Sequence, residues 1–118
     1  MTMCHALIIE DEWVIAEYLA LLAEDAGATS VAIAFTENEA VLAAHDHKPD
    51  IILSDVILTA GTGPCAVRTI ISELGEIPVI FITATPSQCY PRKPSSVVFD
   101  KPFAAADVTD MFRRLAHL

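Results

Sequence analysis

Charged side chains stand at the ends of three apolar runs in this chain. Glu10-Asp11-Glu12 ends the first run, Asp55 the second and Lys101 the third. In an α/β domain the carboxyl ends of parallel strands form one crevice, so we expect these carboxylates and the ammonium to meet there. Carboxylates at close range oppose one another's ionisation unless a cation or a phosphate joins them. The pattern therefore predicts a divalent metal and phosphoryl chemistry.

Length and composition predict one folded domain over residues 1–118. Hydrophobic residues make up 53% of the chain, which is enough for a core and too many for a disordered protein. No apolar run approaches the roughly 20 residues of a membrane-spanning helix, and the N-terminus lacks the basic and apolar regions of a secretory signal. We therefore expect a cytoplasmic protein with no membrane partner.

Charge and cysteine spacing argue against a nucleic-acid partner and against a zinc or disulfide framework. The chain has 16 acidic and 7 basic residues and a formal net charge of −9, whereas nucleic-acid binding needs a basic face. Cys4, Cys65 and Cys89 are dispersed and form no CxxC pair, and the four histidines show no convincing ligand spacing. These features favour reduced cytosolic thiols.

Apolar strands alternate with amphipathic helices along the chain, which predicts a parallel sheet covered on both faces. Thr36 and Glu39 form a capping-box pattern at the second helix, and Pro64 and Gly75 favour the start and the end of the third. The predicted strands span residues 5–10, 29–35, 51–55, 77–83 and 96–99, and the predicted helices span 12–26, 36–45, 64–74 and 103–116.

Two of the segments expected to be helical carry further signals. Residues 84–96, where a helix should separate the last two strands, hold prolines at positions 86, 91 and 94. Interior prolines remove helix hydrogen bonds and clash with the preceding turn, so this stretch predicts a loop with at most one short turn. The first helix has an apolar stripe at helical spacing, made of Val14, Ile15, Tyr18, Leu19 and Leu22.

With these positions placed, the chain resembles a response-regulator receiver domain, the phospho-acceptor module of two-component signalling, over essentially its whole length. "LIIEDE" is similar to the first strand and acidic pair of that family, and "DIILSDVIL" to the third strand with its aspartate. "IPVIFITA" resembles the fourth strand, and "FDKPF" the fifth strand with its Lys-Pro. The resemblance implies a flavodoxin-like, doubly wound α/β fold whose five-stranded parallel sheet has the order 2-1-3-4-5, here with the fourth helix short or missing.

The resemblance also implies a role for each site residue. Glu10 and Asp11 match the metal-binding acidic pair, which together with Asp55 would hold Mg²⁺. Asp55 matches the phosphorylated aspartate, Thr83 the switch hydroxyl and Lys101 the phosphate-contacting lysine. Asp55 would attack the phosphorus of a phosphohistidine and become an acyl phosphate, and Mg²⁺ suits such a site because it needs few carboxylates besides phosphate oxygens and water.

Other positions match or depart from the family pattern. A cis peptide bond is implied between Lys101 and Pro102, and Gly63 matches the glycine usual before the third helix. Val98 stands where the family often has a Tyr or Phe that changes rotamer on activation. "PVIFITA" is also similar to the PFxFATG-type receivers associated with some alphaproteobacterial kinases, with Ala84 in place of glycine.

The resemblance implies a stand-alone response regulator. It would take a phosphoryl group from a sensor histidine kinase or a histidine phosphotransfer protein and would change its affinity for an unknown downstream protein. Such a domain is not an enzyme toward other substrates, because it catalyses only its own phosphorylation and dephosphorylation.

Three other classes stay open. A phosphatase or phosphotransferase that uses an aspartyl phosphate commonly places a second acid two residues after the nucleophile, where this chain has Ile57. A flavodoxin-like cofactor binder would need a phosphate loop after the first strand, where Glu10-Asp11-Glu12 would repel the phosphate. A degenerate receiver would act only as an interaction module, and the retained acids, Thr83 and Lys101 argue against that class.

Overall fold

The computed structural model describes residues 3–118, which form five strands and four α-helices. The strands are β1 (His5–Ile9), β2 (Ser30–Ala34), β3 (Ile51–Ser54), β4 (Val79–Thr83) and β5 (Val97–Asp100). The helices are α1 (Trp13–Ala26), α2 (Glu37–Asp46), α3 (Gly63–Leu74) and α4 (Ala105–Ala116).

All five strands are parallel and lie in the order β2-β1-β3-β4-β5. The predicted fold is therefore confirmed, including the strand order. Because the chain winds in opposite directions from β1 and from β3, the crevice between these two strands opens at their carboxyl ends, where ligands bind in folds of this kind. Glu10 and Asp55 follow β1 and β3 directly.

The sheet is covered on both faces, which explains why its central strands are apolar along most of their length. Every residue of β1, β3 and β4 is buried. One hydrophobic cluster joins the sheet to α2 and α3, and a second cluster on the opposite face joins it to α1 and α4. This double cover fixes the strand ends, so the residues that follow them are held on a rigid frame.

Hydrogen bonds at the helix starts agree with the capping signals in the sequence. The Thr36 hydroxyl accepts from the backbone N–H of Glu39 at 3.1 Å, and the Glu39 carboxylate accepts from the N–H of Phe35 at 3.0 Å. At α3 the Thr62 hydroxyl accepts from the N–H of Cys65 at 3.2 Å. These contacts satisfy N–H groups that the helix itself leaves without partners.

The predicted apolar stripe of α1 is wrong at two positions. Val14 is 77% exposed and Tyr18 is 44% exposed. The helix instead packs through a row of small residues and leucine, in which Ala16, Leu19 and Ala23 are almost completely buried. Alanine lets the helix approach the sheet closely, so the contact face is set by where the backbone can come near and not by the largest side chains.

The segment between β4 and β5, residues 84–96, has no α-helix, as its prolines predicted. It contains one short 3₁₀ turn, Pro86–Gln88. Cys89 is the one residue of this segment that is fully buried in the core. The Lys101–Pro102 peptide bond is cis, which confirms the expectation from the family resemblance, and the Tyr90–Pro91 bond is cis as well. Of the helices in residues 3–118, none combines the length and apolar composition that a membrane crossing requires.

Candidate functional site

Three carboxylates meet at the carboxyl ends of β1 and β3. Glu10, Asp11 and Asp55 each offer an oxygen atom, and these atoms lie within 4.8 Å of one another. Glu10 is completely buried, while Asp11 and Asp55 are partly exposed. Carboxylate oxygens are ligands of hard divalent cations such as Mg²⁺, which binds phosphate oxygens and water as well. The three residues predicted to hold the metal are thus brought together.

A lysine from the far strand of the site completes the charge balance. Lys101, which directly follows β5, places its Nζ 3.0 Å from Oε1 of Glu10 and 3.2 Å from Oδ2 of Asp55. Its side chain is only 19% exposed. An ammonium in this position can contact a further oxygen bound at Asp55 without leaving the site, which fits the predicted role of Lys101.

The close packing of these charges shifts their proton affinities. Burial raises the pKa of Glu10 to about 7, the hydrogen bond from Lys101 opposes that rise, and the nearby Asp55 adds to it. For Lys101, burial lowers the pKa, but the hydrogen bond to Glu10 and the charge of Asp55 outweigh burial and leave the pKa above its ordinary value. The protonation state of Glu10 and that of Lys101 therefore depend on each other.

Thr59 is a site residue that the sequence analysis missed. Its backbone N–H and its hydroxyl both donate to Oδ2 of Asp11, each at 2.6 Å. Burial raises the pKa of Asp11, but these hydrogen bonds outweigh it, so the pKa lies below its usual value and the carboxylate is held ionised. No sequence signal marks Thr59, because the loop after β3 brings it to Asp11 across 48 positions.

The backbone around Asp55 explains the glycine at position 63. The backbone N–H of Val56 donates to Oδ1 of Asp55 at 2.6 Å, which fixes the orientation of the carboxylate. Gly63 donates its own N–H to the carbonyl of Val56 at 2.8 Å. A Cβ at position 63 would overlap the carbonyl oxygen of Asp55 and the hydroxyl of Ser54. A residue without a side chain is therefore required here to keep Asp55 in place.

Thr83 is at the predicted strand end but its hydroxyl has other partners in this structure. Oγ1 of Thr83 accepts from the backbone N–H of Thr85 at 2.9 Å and lies 3.1 Å from the Thr85 hydroxyl. Among residues 3–118 it makes no hydrogen bond to Asp55 or Lys101. Thr83 is still linked to the site through its carbonyl, which accepts from the N–H of Lys101 at 2.9 Å.

Chemically, the site places three carboxylates and a fixed ammonium at one point. An ionised carboxylate can attack phosphorus, and in-line phosphoryl transfer requires positive charge around the equatorial oxygens. The arrangement supports formation of an acyl phosphate on Asp55 better than it supports binding of a preformed phosphate, which Glu10 and Asp11 would repel.

Sequence comparison gives a family match over most of the chain. The profile of the response regulator receiver domain matches residues 6–113. A curated relative, the phyllosphere-induced regulator PhyR of Methylorubrum extorquens, is 39% identical over 107 residues, which are 87% of this chain and 40% of the relative. The chain thus spans well under half the length of that relative.

Structural comparison agrees with the sequence match. The solution structure of the PhyR receiver domain from Erythrobacter litoralis has a TM-score of 0.85 and 30% identity, and the match covers 100% of this chain and 93% of that domain. The receiver domain of the sensor histidine kinase PA1611 from Pseudomonas aeruginosa has a TM-score of 0.82 and 22% identity, covering 99% and 100% of the two chains, and that structure holds a magnesium ion in its active-site cleft. The second match shows a common fold.

Proposed function

The chain belongs to the response regulator receiver domain family, and we propose that it is a phospho-acceptor in which Asp55 receives the phosphoryl group. The observation that carries the proposal is the position of Asp55. Its carboxylate has an oxygen within 4.8 Å of those of Glu10 and Asp11, and Nζ of Lys101 lies 3.2 Å from its Oδ2.

The transfer step forms one bond and breaks one bond. A carboxylate oxygen of Asp55 attacks the phosphorus of a phosphohistidine whose other ring nitrogen carries a proton. The P–O bond of an acyl phosphate forms, and the P–N bond breaks so that its electron pair stays on the departing neutral imidazole. The N–H of Val56 holds Oδ1 and so orients the carboxylate during the attack. Lys101 contacts Asp55 before the transfer and offsets negative charge that grows on the phosphoryl oxygens.

The acidic residues fit a magnesium ion. Glu10, Asp11 and Asp55 would hold Mg²⁺, which when bound supplies positive charge to the phosphoryl group. Thr59 supports the site by holding Asp11 ionised and oriented through two hydrogen bonds.

The switch step involves Thr83. To donate to a phosphoryl oxygen, its hydroxyl must leave the Thr85 hydroxyl and the N–H of Thr85. The release would move Ala84 and Thr85 and, with them, the segment 84–96 that follows. We propose that phosphorylation orders residues 86–95 and that a downstream protein reads the ordered surface, which includes the exposed Tyr90. Disorder-to-order changes are an established switching mode.

Membership of the family supports a proposal about the class of phosphoryl donor. We propose a sensor histidine kinase or a histidine phosphotransfer protein as donor, a downstream protein as target and the cytoplasm as location. We also propose that the chain catalyses only its own phosphorylation and dephosphorylation. Ile57, at the position where an aspartyl-phosphate enzyme commonly has its second acid, is 47% exposed and offers no acid–base group. Membership of the PFxFATG subgroup stays a prediction.

Labelling with a small phosphodonor tests the proposal. Wild-type protein incubated with Mg²⁺ and acetyl phosphate should gain the mass of one phosphoryl group, and Asp55→Asn should gain none. Asp25→Asn is the matched control, because Asp25 is an exposed aspartate on α1, and it should label like wild type. Equal labelling of Asp55→Asn and wild type would contradict the proposal.

A further inference from the structure

A groove lies between α3 and the segment 84–96, at the place that a regular helix after β4 would cover. Its volume is about 470 Å³. Its floor is apolar and consists of Pro64, Val67 and Ile71 from one face of α3, with Pro91 on the opposite wall. The spacing of the three α3 residues is that of a single helix face. The groove is therefore an apolar channel alongside α3.

The rim of the groove is basic, although the protein is strongly acidic. Three of the seven Lys and Arg residues of a chain with net charge −9 line it. Lys93 is paired with Glu76, which also lines the groove. Arg68 and Arg92 are exposed, and among residues 3–118 neither has a carboxylate within 4.0 Å. The Arg92 guanidinium lies over the Tyr90 ring, 5.6 Å from its centroid, so its charge and that of Arg68 have no carboxylate partner and can meet the charge of another protein.

The combination of floor and rim specifies the chemistry of an occupant. A helix with an apolar face can lie in such a channel, and carboxylates beside that face can form paired hydrogen bonds with guanidinium groups. Outside the groove lining, acidic residues far outnumber basic ones, so attraction for an acidic partner is concentrated at this rim. Nucleic acid does not fit, because two arginines cannot offset the net charge of −9 over the length of a phosphate backbone.

We propose that this groove binds an acidic amphipathic helix of a protein partner, with its apolar face on Val67 and Ile71 and its carboxylates on Arg68 and Arg92. The second wall of the groove belongs to the segment that follows Thr83 and Thr85 in the chain, with Pro91 as its first lining residue, so the movement of Thr83 and Thr85 would change the shape of the channel. This coupling to phosphorylation rests on the proposed function, whereas the binding itself rests on the groove.

The test is a titration of ¹⁵N-labelled protein with two synthetic helical peptides. In one, leucine and glutamate are placed so that the helix has an apolar and an acidic face; in its twin, every glutamate is lysine. The acidic peptide, at up to about 1 mM, should shift the amide signals of Val67, Ile71 and Arg92, and the shifts should weaken with added salt. The basic twin should leave these signals unchanged.

A pair of charge reversals provides the matched control. Arg68→Glu should weaken binding of the acidic peptide about tenfold, because an attraction at the rim becomes a repulsion. Arg114→Glu makes the same change at an exposed position on α4 and should leave the affinity unchanged. Both variants keep a helix-forming residue, and their unbound spectra report whether the fold is intact.

Four outcomes would overturn the inference: no groove shifts with the acidic peptide, equal binding of the basic twin, equal loss in the two variants, or the same shifts on concentrating the protein alone, which would make a second copy the occupant. The result is separable from the proposed function. Normal labelling of Asp55 without groove binding defeats only the groove, whereas groove binding without labelling defeats the proposed function and the coupling and leaves the groove standing.

Discussion

Nζ of Lys101 lies 3.2 Å from Oδ2 of Asp55, across the carboxyl edge of the sheet from β5 to β3. The same ammonium also donates to the completely buried Glu10. One cation therefore serves two carboxylates before any phosphoryl group arrives. Lys101 therefore links Asp55 to Glu10, two of the three carboxylates whose oxygen atoms lie within 4.8 Å of one another.

Replacing Lys101 should separate phosphorylation from its structural consequence. Lys101→Ala should not weaken Mg²⁺ binding, because an ammonium is not a metal ligand, but it should remove most of the change in the NMR spectrum that beryllofluoride causes in wild type. Lys48→Ala, at an exposed lysine before β3, is the control and should retain that change. A full beryllofluoride response in Lys101→Ala would remove Lys101 from the switch.

Metal binding should depend on Asp11. Asp11→Asn keeps the shape of the side chain but removes one of the three charges that meet within 4.8 Å, so Mg²⁺ affinity should fall about tenfold or more. Titration of the NMR spectrum with Mg²⁺ measures the change, and Asp25→Asn serves as control. An unchanged Mg²⁺ titration would assign Asp11 the structural role of anchoring Thr59.

Stability should depend on pH through His5, which lies far from the candidate site. His5 is buried, its ring stacks on His47 with centroids 3.6 Å apart, and its Nδ1 lies 2.7 Å from the Ser30 hydroxyl. Burial first, and His47 second, lower the pKa of His5 below 6.5. The unfolded chain then binds more protons than the folded one, so this contribution is complete above about pH 6.5 and is lost as the pH falls through the folded pKa.

The contribution of His5 can be isolated by difference. Glu10, whose pKa is raised to about 7, acts in the opposite direction, because its contribution is lost as the pH rises from about 4.5 to 7. His5→Phe keeps a ring for the stack but cannot titrate, so its unfolding free energy should gain on wild type as the pH falls from 7 to 5. Denaturant unfolding at both pH values measures this gain. A constant difference between His5→Phe and wild type would contradict the assignment.

Activation should order the segment between β4 and β5. Residues 86–95 have few internal hydrogen bonds and one buried side chain, Cys89, so their local stability should be low. Hydrogen exchange should be fast in the unmodified protein and slower with Mg²⁺ and beryllofluoride. Thr83→Ala, which removes the hydroxyl that would move, should abolish the slowing. Strong protection before activation, or equal slowing in Thr83→Ala, would contradict the switch.

Two features could be predicted from the sequence: the meeting of the charged residues at the strand ends and the missing helix between β4 and β5. Glu10, Asp55 and Lys101 meet because parallel strands of fixed order deliver their carboxyl ends to one edge, and three prolines alone exclude a helix from residues 84–96. The conformations of the loops and the contacts they make could not be predicted from the sequence. The Thr59–Asp11 contact arises from the path of the loop after β3, and the Thr83–Thr85 hydrogen bond depends on a side-chain orientation that no residue pattern encodes.

The face of α1 was mispredicted for a related reason. Periodicity marks large apolar side chains such as Val14 and Tyr18, whereas packing was decided by how closely Ala16 and Ala23 let the helix approach the sheet. Helical spacing finds an amphipathic helix, but the buried arc depends on the partner surface, which the spacing does not contain.

Chemical trapping of the phosphorylated residue tests the central claim most directly. Protein treated with Mg²⁺ and acetyl phosphate is reduced with borohydride, which converts an aspartyl phosphate to homoserine, and is then digested and mapped by mass spectrometry. The account predicts homoserine at position 55 and at no other acid. Homoserine at Asp11, Asp100 or another acid, or a wild-type protein with no homoserine at all, would contradict it.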